Sequence, residues 1–476
     1  MDEKINRKLK KPIYKQIADE IENGISDGTF PADKNLPSER QLAKTFQVNR
    51  STIVAAYDEL ESKGLIERRI GSGTVISKDI WGMTKKRMPS WNRYIEAGSF
   101  LPNLPITQKI RKEMEKRKLI NMASGELSED LYPTDILREI TQMQAFIGRL
   151  GYDHPQGSEA LRYTIMKHVE KYRNIQTTPA SILVTSGAQQ ALHLVVQCLL
   201  KPGDAVVIED PSYHYNLPIF KSAGIQVFTL SALSNRALSA ELLSLHKKHR
   251  ISMIFLNPAF QNPTGRLFRK AQLQEILDIS SEYGIPVIED DPYSLIAFNN
   301  NPVSTLKSMD QNGNVLYISS LSKLVASGLR IGWIIGPNSV IERLSDAKQQ
   351  IDFGHASYTQ WIANDFLESK HFPVHLDRIK TELVQRRNEV VASLKKYLGD
   401  QVVFTIPQGG IHIWCEINRD VDEMKLLENA IKQGVIYFPG MMMGSKKLFV
   451  RFTFGRANEE QIRTGIQRFS AALALT

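Results

Sequence analysis

The chain has 476 residues, a length that exceeds one hydrophobic core and predicts roughly two to four domains. Its 42% hydrophobic and 23% charged residues are typical of a globular protein and exclude the disordered and fibrous classes. Only two cysteines are present, which excludes a disulfide framework and a Cys-rich zinc site, so no metal is expected. The formal charge of +9 suits an anionic partner but is a weak signal alone. Without a signal peptide or a long apolar run, we expect a cytoplasmic protein that does not span a membrane.

Residues 11–79 are predicted to form a small domain of their own. Ile13, Ile17, Ile21 and Ile25 recur at every fourth position, which predicts a helix with one apolar face. Further helices are expected around residues 38–46 and 51–63, and a hairpin around the glycines of residues 71–73. The order helix, helix, turn, helix, hairpin is that of a winged helix-turn-helix, whose third helix enters a major groove.

The first turn of the third helix carries a cluster of hydrogen-bond donors. Asn49, Arg50, Ser51 and Thr52 lie where the backbone amides of a helix also point outward, an arrangement suited to DNA phosphates and bases. On pattern alone, a small helical protein-interaction module is the alternative.

Three motifs and a wing carry a resemblance across residues 11–77. They are Pro-Ser-Glu-Arg-Gln-Leu-Ala (37–43), Val-Asn-Arg-Ser-Thr-Ile (48–53), a run at 57–67 that ends in Lys-Gly-Leu-Ile-Glu, and Gly-Ser-Gly-Thr (71–74). Together they resemble the DNA-binding domain of the GntR family of bacterial transcription regulators. The resemblance implies that Arg40, residues 49–52 and Gly71 touch double-stranded operator DNA.

Residues 80–119 are interpreted as a basic linker. Between residues 81 and 120 there are ten Lys or Arg residues and three Glu residues, with prolines scattered among them. A flexible cationic segment can follow DNA phosphates without reading sequence, whereas the alternative is a solvated connector.

From residue 120 onward, strand-like and helix-like segments alternate. The apolar runs at 182–185, 205–208, 253–256, 286–288 and 315–318 each lead into a polar loop. This repetition predicts an α/β fold, a mostly parallel sheet between helices, with ligand groups gathered beyond the strand ends.

The stretch from Ser320 to Gly332 has the composition of a cofactor site. Lys323 follows an apolar strand, Ser320 and Ser322 flank it, and Arg330 lies seven residues later. A lysine that holds a phosphorylated aldehyde as a Schiff base needs small hydroxyls and a guanidinium to hold the phosphate. Alone, this short motif is more often a surface loop, so the assignment of a cofactor site depends on the residues of the other loops.

Each preceding loop supplies another group that pyridoxal 5'-phosphate requires. Ser186, Gly187, Ala188 and Gln189 open a helix and form an anion site for the phosphate. Tyr213 can stack on the pyridine ring, and Asn262 and Tyr293 can bind its phenolate oxygen. Asp290 can keep the ring nitrogen protonated, which makes the ring an electron sink. Each motif alone can be a simple turn, but their combination favours the cofactor.

These motifs make residues 120–470 resemble the fold-type I pyridoxal-phosphate aminotransferases. The resemblance implies a large subdomain over residues 150–345 and a small α+β subdomain from 120–149 and 346–476. It adds Pro292 to the cofactor residues, and it identifies Arg451 and Gly125 with the site of an α-carboxylate, although Arg451 alone could be an ordinary strand arginine. Tyr152 corresponds to a tyrosine that reaches the phosphate of the neighbouring subunit, which implies a homodimer.

A GntR-type winged helix joined to an aminotransferase-like domain resembles the MocR group of bacterial regulators. That resemblance implies a transcription regulator that senses pyridoxal phosphate, an amino-compound effector, or both. The alternative is a working aminotransferase with Lys323 as its catalytic lysine and a DNA-binding module attached, because the sequence excludes no residual transamination. We prefer the regulator, since an enzyme has no need of a DNA-reading domain.

Overall fold

The computed structural model describes residues 11–26, 29–30, 35–69, 73–77, 94, 97–143, 151–231, 238–299, 301–445 and 448–476. These residues belong to two compact units, Met1–Ser99 and Phe100–Thr476. In the ranges just given, no helix is both long and apolar enough to cross a membrane.

The first unit is the expected winged helix-turn-helix. Its helices are Ile13–Ser26, Glu39–Phe46 and Arg50–Ser62, followed by the antiparallel strands β1 (Ile66–Arg69) and β2 (Gly73–Ile76). The second helix begins with a capping box, in which the Gln41 amide donates to the Ser38 hydroxyl and the Ser38 amide donates to the Gln41 side chain. The apolar faces of the three helices form one buried cluster, as their spacing predicts.

The linker prediction extends too far toward the second unit. Residues 105–116, expected in the connector, form the helix Pro105–Lys116, and Ile110 is buried in the core of the second unit. Ile106, Ile110 and Met114 lie on one face at every fourth position, so the many charges hide an amphipathic helix. Lys109 on this helix forms an ion pair with Glu428.

A seven-stranded sheet forms the centre of the second unit. Its strands, in spatial order, are β4 (Ile182–Thr185), β10 (Gly332–Ile335), β9 (Val315–Ser320), β8 (Val287–Asp290), β7 (Ile251–Leu256), β5 (Ala205–Asp210) and β6 (Gln226–Ser231). All neighbouring strands are parallel except β10, which is antiparallel to both β4 and β9, so the prediction of a mostly parallel sheet is confirmed.

Both faces of this sheet are buried. Val206 and Ile208 of β5 point into one apolar cluster, and Val207 between them points into another. The helices of this part of the chain are Thr134–Met143, Glu159–Arg173, Ala188–Leu199, Ile219–Ser222, Leu238–His249, Lys270–Tyr283, Leu306–Met309 and Asn338–Asp352. Parallel strands buried on both faces direct the following loops, and their polar residues, to one edge of the sheet.

The C-terminal part contains a second, smaller sheet, here called the C-terminal sheet. Its antiparallel strands have the order β11-β12-β15-β14, with bounds β11 (Val402–Phe404), β12 (His412–Ile417), β14 (Phe438–Pro439) and β15 (Phe449–Thr453). A separate parallel pair joins β3 (Ile120–Asn121) to β13 (Val435–Ile436). The accompanying helices are Ser357–Glu368, His371–Leu398, Glu423–Lys432 and Glu459–Ala474.

The proposed subdomain boundary at residue 345 does not fall between elements. It lies inside the helix Asn338–Asp352, whose Ile341, Leu344 and Ala347 pack against the central sheet. That helix therefore belongs to the core of the large sheet along most of its length.

Candidate functional site

A cavity of about 230 Å³ lies where the central strands end. Asp290 is the last residue of β8, Ser320 is the last residue of β9, and Lys323 lies in the turn after β9. Twelve residues that the sequence analysis singled out line this cavity: Gly125, Ala188, Gln189, Tyr213, Asn262, Asp290, Pro292, Tyr293, Ser320, Ser322, Lys323 and Arg330. Leu192, Leu217 and Ser327 also line it and were not expected.

Lys323 ends a short 3-10 turn that begins immediately after β9. The Ser322 amide donates to the Ser320 hydroxyl, 3.4 Å away, which holds the turn in place. Burial lowers the pKa of Lys323 to about 8, with Arg451 and Arg330 acting in the same direction against nearby carboxylates. A larger share of neutral amine is therefore present near neutral pH than for an ordinary lysine.

Arg330 lies against the start of the helix Ala188–Leu199. Its guanidinium donates to the backbone oxygens of Ser186, at 2.7 Å, and of Ser327, at 3.1 Å. Gly187 has a φ of +80° at the N-cap, and a Cβ there would come within 2.7 Å of the Arg330 guanidinium. A helix N-terminus, a close guanidinium and a residue without a side chain form a cradle suited to a phosphate.

Asp290 is buried and only partly satisfied. Its Oδ2 accepts a hydrogen bond from the Tyr213 hydroxyl, while its Oδ1 has no hydrogen-bond partner in the described part of the chain. Burial raises the pKa of Asp290 to about 7, and the Asp291 charge adds to the rise. A buried carboxylate oxygen with no partner fits the protonated ring nitrogen of pyridoxal 5'-phosphate.

Tyr213 was expected to stack on a pyridine ring, but its hydroxyl bonds Asp290. The Tyr213 ring lies 4.3 Å from the imidazole of His214, tilted by 37°. His214 Nε2 is itself 3.8 Å from Asp290 Oδ2. Tyr213 therefore binds the same carboxylate that the sequence analysis assigned to the ring nitrogen of the cofactor.

The two predicted ligands of the ring oxygen are held by residues of the C-terminal sheet. Asn262 Oδ1 accepts from Arg451 Nη1 at 2.8 Å, and the Tyr293 hydroxyl is 3.0 Å from His412 Nε2. The sequence analysis missed His412, although a histidine at an inward position of the apolar run Ile411-His-Ile-Trp-Cys415 was a signal that could have found it.

Arg451 is buried beside the cavity without lining it. Besides Asn262, it donates to the backbone oxygen of Ala123, and its guanidinium lies 4.6 Å from the centre of the Phe438 ring. Its Nε has no partner among the described residues, and burial lowers its pKa to about 10. Gly125, the other residue assigned to a carboxylate, does line the cavity.

Tyr152 lies apart from the cavity of its own chain. Its side chain is 89% exposed, and its ring is 5.6 Å from that of Phe353. Ser186 and Gly187 likewise do not line the cavity, although they lie directly behind Arg330.

The expected DNA contacts lie on the surface of the first unit. Arg40, Asn49, Arg50 and Ser51 are exposed, and Thr52 is half-buried. Asn49 begins the third helix without a hydrogen bond from its side chain to that helix. Arg50 forms an ion pair with Glu39, with a closest distance of 2.8 Å. Gly71 lies outside the described residues.

Comparisons with known proteins agree with both units. Residues 13–76 match the bacterial regulatory proteins of the gntR family, and residues 117–469 match the aminotransferase class I and II family. The chain is 37% identical to the uncharacterized HTH-type transcriptional regulator YdfD of Bacillus subtilis, over 97% of this chain and 96% of YdfD. It is 35% identical to a second such regulator of that organism, YisV, over 97% and 96% of the two chains.

A solved structure gives the same assignment for the second unit. The kynurenine aminotransferase of Pyrococcus horikoshii, solved in complex with PMP, superposes with a TM-score of 0.73 and 29% identity, over 79% of this chain and 95% of that one. The two family matches occur on one chain, and the alignments with the two Bacillus subtilis regulators extend across both matched regions. The chain therefore belongs to the MocR group of GntR-family transcriptional regulators, in which a helix-turn-helix domain is joined to an aminotransferase class I and II domain.

Proposed function

We propose that this HTH-type regulator binds pyridoxal 5'-phosphate through Lys323 and uses the bound cofactor to sense an amino compound. The observation that carries the proposal is the unpartnered, buried Oδ1 of Asp290 in the same cavity as Lys323. A carboxylate oxygen that is buried with no partner among the described residues is costly unless a ligand satisfies it.

When bound, the cofactor supplies an aldehyde that amines capture and a ring that withdraws electrons. Lys323 is suited to hold that aldehyde because its lowered pKa of about 8 leaves part of the amine neutral and nucleophilic. Asp290 would accept a hydrogen bond from the protonated ring nitrogen, and Asn262 and Tyr293 would bind the ring oxygen. These roles agree with the cavity-lining positions of all four side chains.

The phosphate would lie at the cradle formed by the helix Ala188–Leu199, Arg330, Ser320 and Ser322. Arg330 is exposed and brings a permanent charge, whereas the helix start contributes backbone amides. Tyr152 of a second copy would complete the cradle, so the proposed state is a homodimer. Its exposure in the single chain supports this assignment.

The effector would be an amino compound with an α-carboxylate. Arg451 and Gly125 are the residues assigned to that carboxylate, and the unpartnered Nε of Arg451 adds a donor beyond those the described residues use. Arg451 also donates to Asn262, the residue assigned to the ring oxygen of the cofactor. Binding of a carboxylate by Arg451 would therefore change this contact to Asn262. An effector could alter DNA binding only through such a difference between states.

A working aminotransferase is the second candidate. The observation that favours it is that Lys323, Asp290 and Arg330 all line one cavity. The two candidates differ in what the cofactor cycle does. A regulator needs only reversible binding of the amino compound, whereas an enzyme must release a keto acid and accept another.

A direct test begins with the purified full-length chain. Titration with pyridoxal 5'-phosphate should produce a visible absorption band, and borohydride reduction followed by peptide mapping should find the pyridoxyl group on Lys323. DNase footprinting of the DNA upstream of the chain's own gene should then show a protected site. A protein that stays colourless, or one modified only at other lysines, would contradict the cofactor assignment.

A further inference from the structure

A chain of three buried side chains leads from the cavity into the C-terminal sheet. The Tyr293 hydroxyl is 3.0 Å from Nε2 of His412, and Nδ1 of the same ring is 2.9 Å from the Thr453 hydroxyl. All three residues are buried, and the two rings meet edge to face with centres 5.6 Å apart. Tyr293 lines the cavity, so this chain ends at the cofactor site.

The strand register explains why His412 meets Thr453. His412 on β12 is paired directly with Thr453 on β15, and Arg451 lies two residues earlier on the same face of β15. One face of the C-terminal sheet therefore holds Tyr293 through His412 and Asn262 through Arg451. These are the two side chains assigned to the ring oxygen of the cofactor.

The imidazole of His412 is neutral in this position. Burial lowers the pKa of His412 well below its usual value, and the charges of Arg451 and Lys323 lower it further. A neutral imidazole has one N–H, and here each ring nitrogen faces a hydroxyl. Two arrangements are therefore possible, and they differ in which group donates each of the two hydrogen bonds.

In one arrangement, Thr453 donates to Nδ1 and Nε2–H donates to the Tyr293 oxygen. Tyr293 then keeps its own proton for a partner in the cavity. In the reverse arrangement, the Tyr293 hydroxyl donates its hydrogen bond to Nε2 and has no proton left to donate into the cavity. A phenol that already accepts a hydrogen bond is also the stronger donor, because hydrogen bonds in a chain polarise one another.

We propose that His412 is a positioning residue which, with Thr453 donating to its Nδ1, donates from Nε2 to Tyr293 and so directs the Tyr293 proton toward the ring oxygen of pyridoxal 5'-phosphate. This inference rests on the proposed function. It adds a residue that touches neither the cofactor nor the effector in that scheme. Gly125 also belongs to the arrangement, since a Cβ there would come within 3.3 Å of His412 Cε1.

The test measures the pH midpoint at which the visible absorption of the cofactor-loaded, full-length protein changes. A donor to the ring oxygen stabilises its ionised form and lowers this midpoint. Tyr293→Phe should therefore raise the midpoint, by about half a unit to one unit if one hydrogen bond is lost. His412→Phe, which keeps an aromatic ring but removes both hydrogen bonds, should raise it by less.

The decisive comparison is the double variant. If His412 acts through Tyr293, His412→Phe adds no shift in the Tyr293→Phe background. His412→Gln, which restores a donor, should recover part of the wild-type midpoint. His168→Phe is a matched control, because His168 is also buried and neutral but packs among Tyr172, Trp333 and Phe372 away from the cavity. It should leave the midpoint unchanged.

Each other outcome has a distinct meaning. An equal shift from His412→Phe in both backgrounds, or no shift in either, overturns the inference and leaves the proposed function intact. A wild-type protein with no visible band overturns the proposed function and the inference with it. If His412→Phe does not fold, Thr453→Val is measured instead, alone and combined with Tyr293→Phe. A midpoint shift from Thr453→Val that persists in the Tyr293→Phe background contradicts the inference. The charged groups that act on Lys323, namely Glu126, Arg451, Arg330 and Asp290, are retained in every variant.

Discussion

Substitution by asparagine is expected to weaken ligand binding at Asp290 but to lower folding stability at the adjacent Asp291. Asp290 lines the cavity and its Oδ1 has no hydrogen-bond partner among the described residues, whereas Asp291 bonds to Arg173 at 3.1 Å, to the Tyr317 hydroxyl at 2.7 Å and to Ser294. Both are buried. Asp290→Asn and Asp291→Asn therefore form a matched pair that separates a ligand-binding role from a structural one.

Asp290→Asn should weaken cofactor binding with little effect on folding. It removes one charge-assisted hydrogen bond to the ring nitrogen, which is worth about 1.5–3 kcal/mol, or about 10- to 150-fold in the Kd for pyridoxal 5'-phosphate. The bond from Tyr213 survives, since an amide oxygen also accepts. Asp291→Asn instead breaks a buried ion pair and should lower the free energy of unfolding by about 3–5 kcal/mol.

The pH dependence of stability gives an independent check on Asp290. Its folded pKa of about 7 lies above its ordinary value of 3.8, so the folded, cofactor-free protein binds an additional proton between these values. Protonation of Asp290 therefore adds stability as the pH falls from about 7 toward 4, and ionisation removes it above pH 7. Asp290→Asn should lack this contribution and be at least as stable as the wild type at pH 8.

The assay pairs a spectroscopic titration with pyridoxal 5'-phosphate and denaturant unfolding of each cofactor-free variant. Unchanged cofactor affinity in Asp290→Asn would refute the assignment of the free oxygen. Equal destabilisation by the two substitutions would refute the separation of roles between the two aspartates.

Three further predictions concern single residues. Lys323→Ala should lose the borohydride-stable pyridoxyl adduct that peptide mapping detects, and an adduct that persists would show another attachment site. Arg50→Ala should weaken operator binding in a gel-shift titration by about 1–3 kcal/mol if Arg50 reads a base edge. Its unfolding free energy should change by less than about 1 kcal/mol, because the pair with Glu39 is exposed, and unchanged DNA affinity and salt dependence would contradict a recognition role. Arg451→Gln should weaken spectroscopically detected binding of α-amino acids by about 10- to 150-fold while amines without a carboxylate are unaffected, and an equal loss for both classes would contradict the carboxylate assignment.

The cavity could be anticipated from the sequence because its residues follow strands. Parallel strands bring their carboxyl ends to one edge, so Asp290, Lys323 and Arg330 could be assigned to one site from the order of their motifs alone. The winged helix could also be predicted from the sequence, since Ile13, Ile17, Ile21 and Ile25 repeat with helical spacing.

The contacts that were missed depend on register between distant strands. His412 reaches Tyr293 across 119 residues, and an antiparallel bridge between Ala297 and Gly409 brings the two segments together. In the sequence, the apolar run around His412 indicates a buried histidine but does not show which residue that histidine contacts. The helix Pro105–Lys116 was missed for another reason, because its apolar face is narrow and its charges resemble those of a solvated linker.

The central claim is that ligand binding in the aminotransferase-like unit changes DNA binding by the winged helix. The most direct measurement titrates the footprinted operator with the full-length protein in three states: free of cofactor, loaded with pyridoxal 5'-phosphate, and loaded in the presence of each of the common amino acids. We expect DNA affinity to change between states by about 5- to 150-fold, and DNA to change the affinity for the same ligand by the same factor. Identical DNA affinity and footprint in all three states, together with rapid keto-acid production from an amino donor, would contradict it and favour the enzyme.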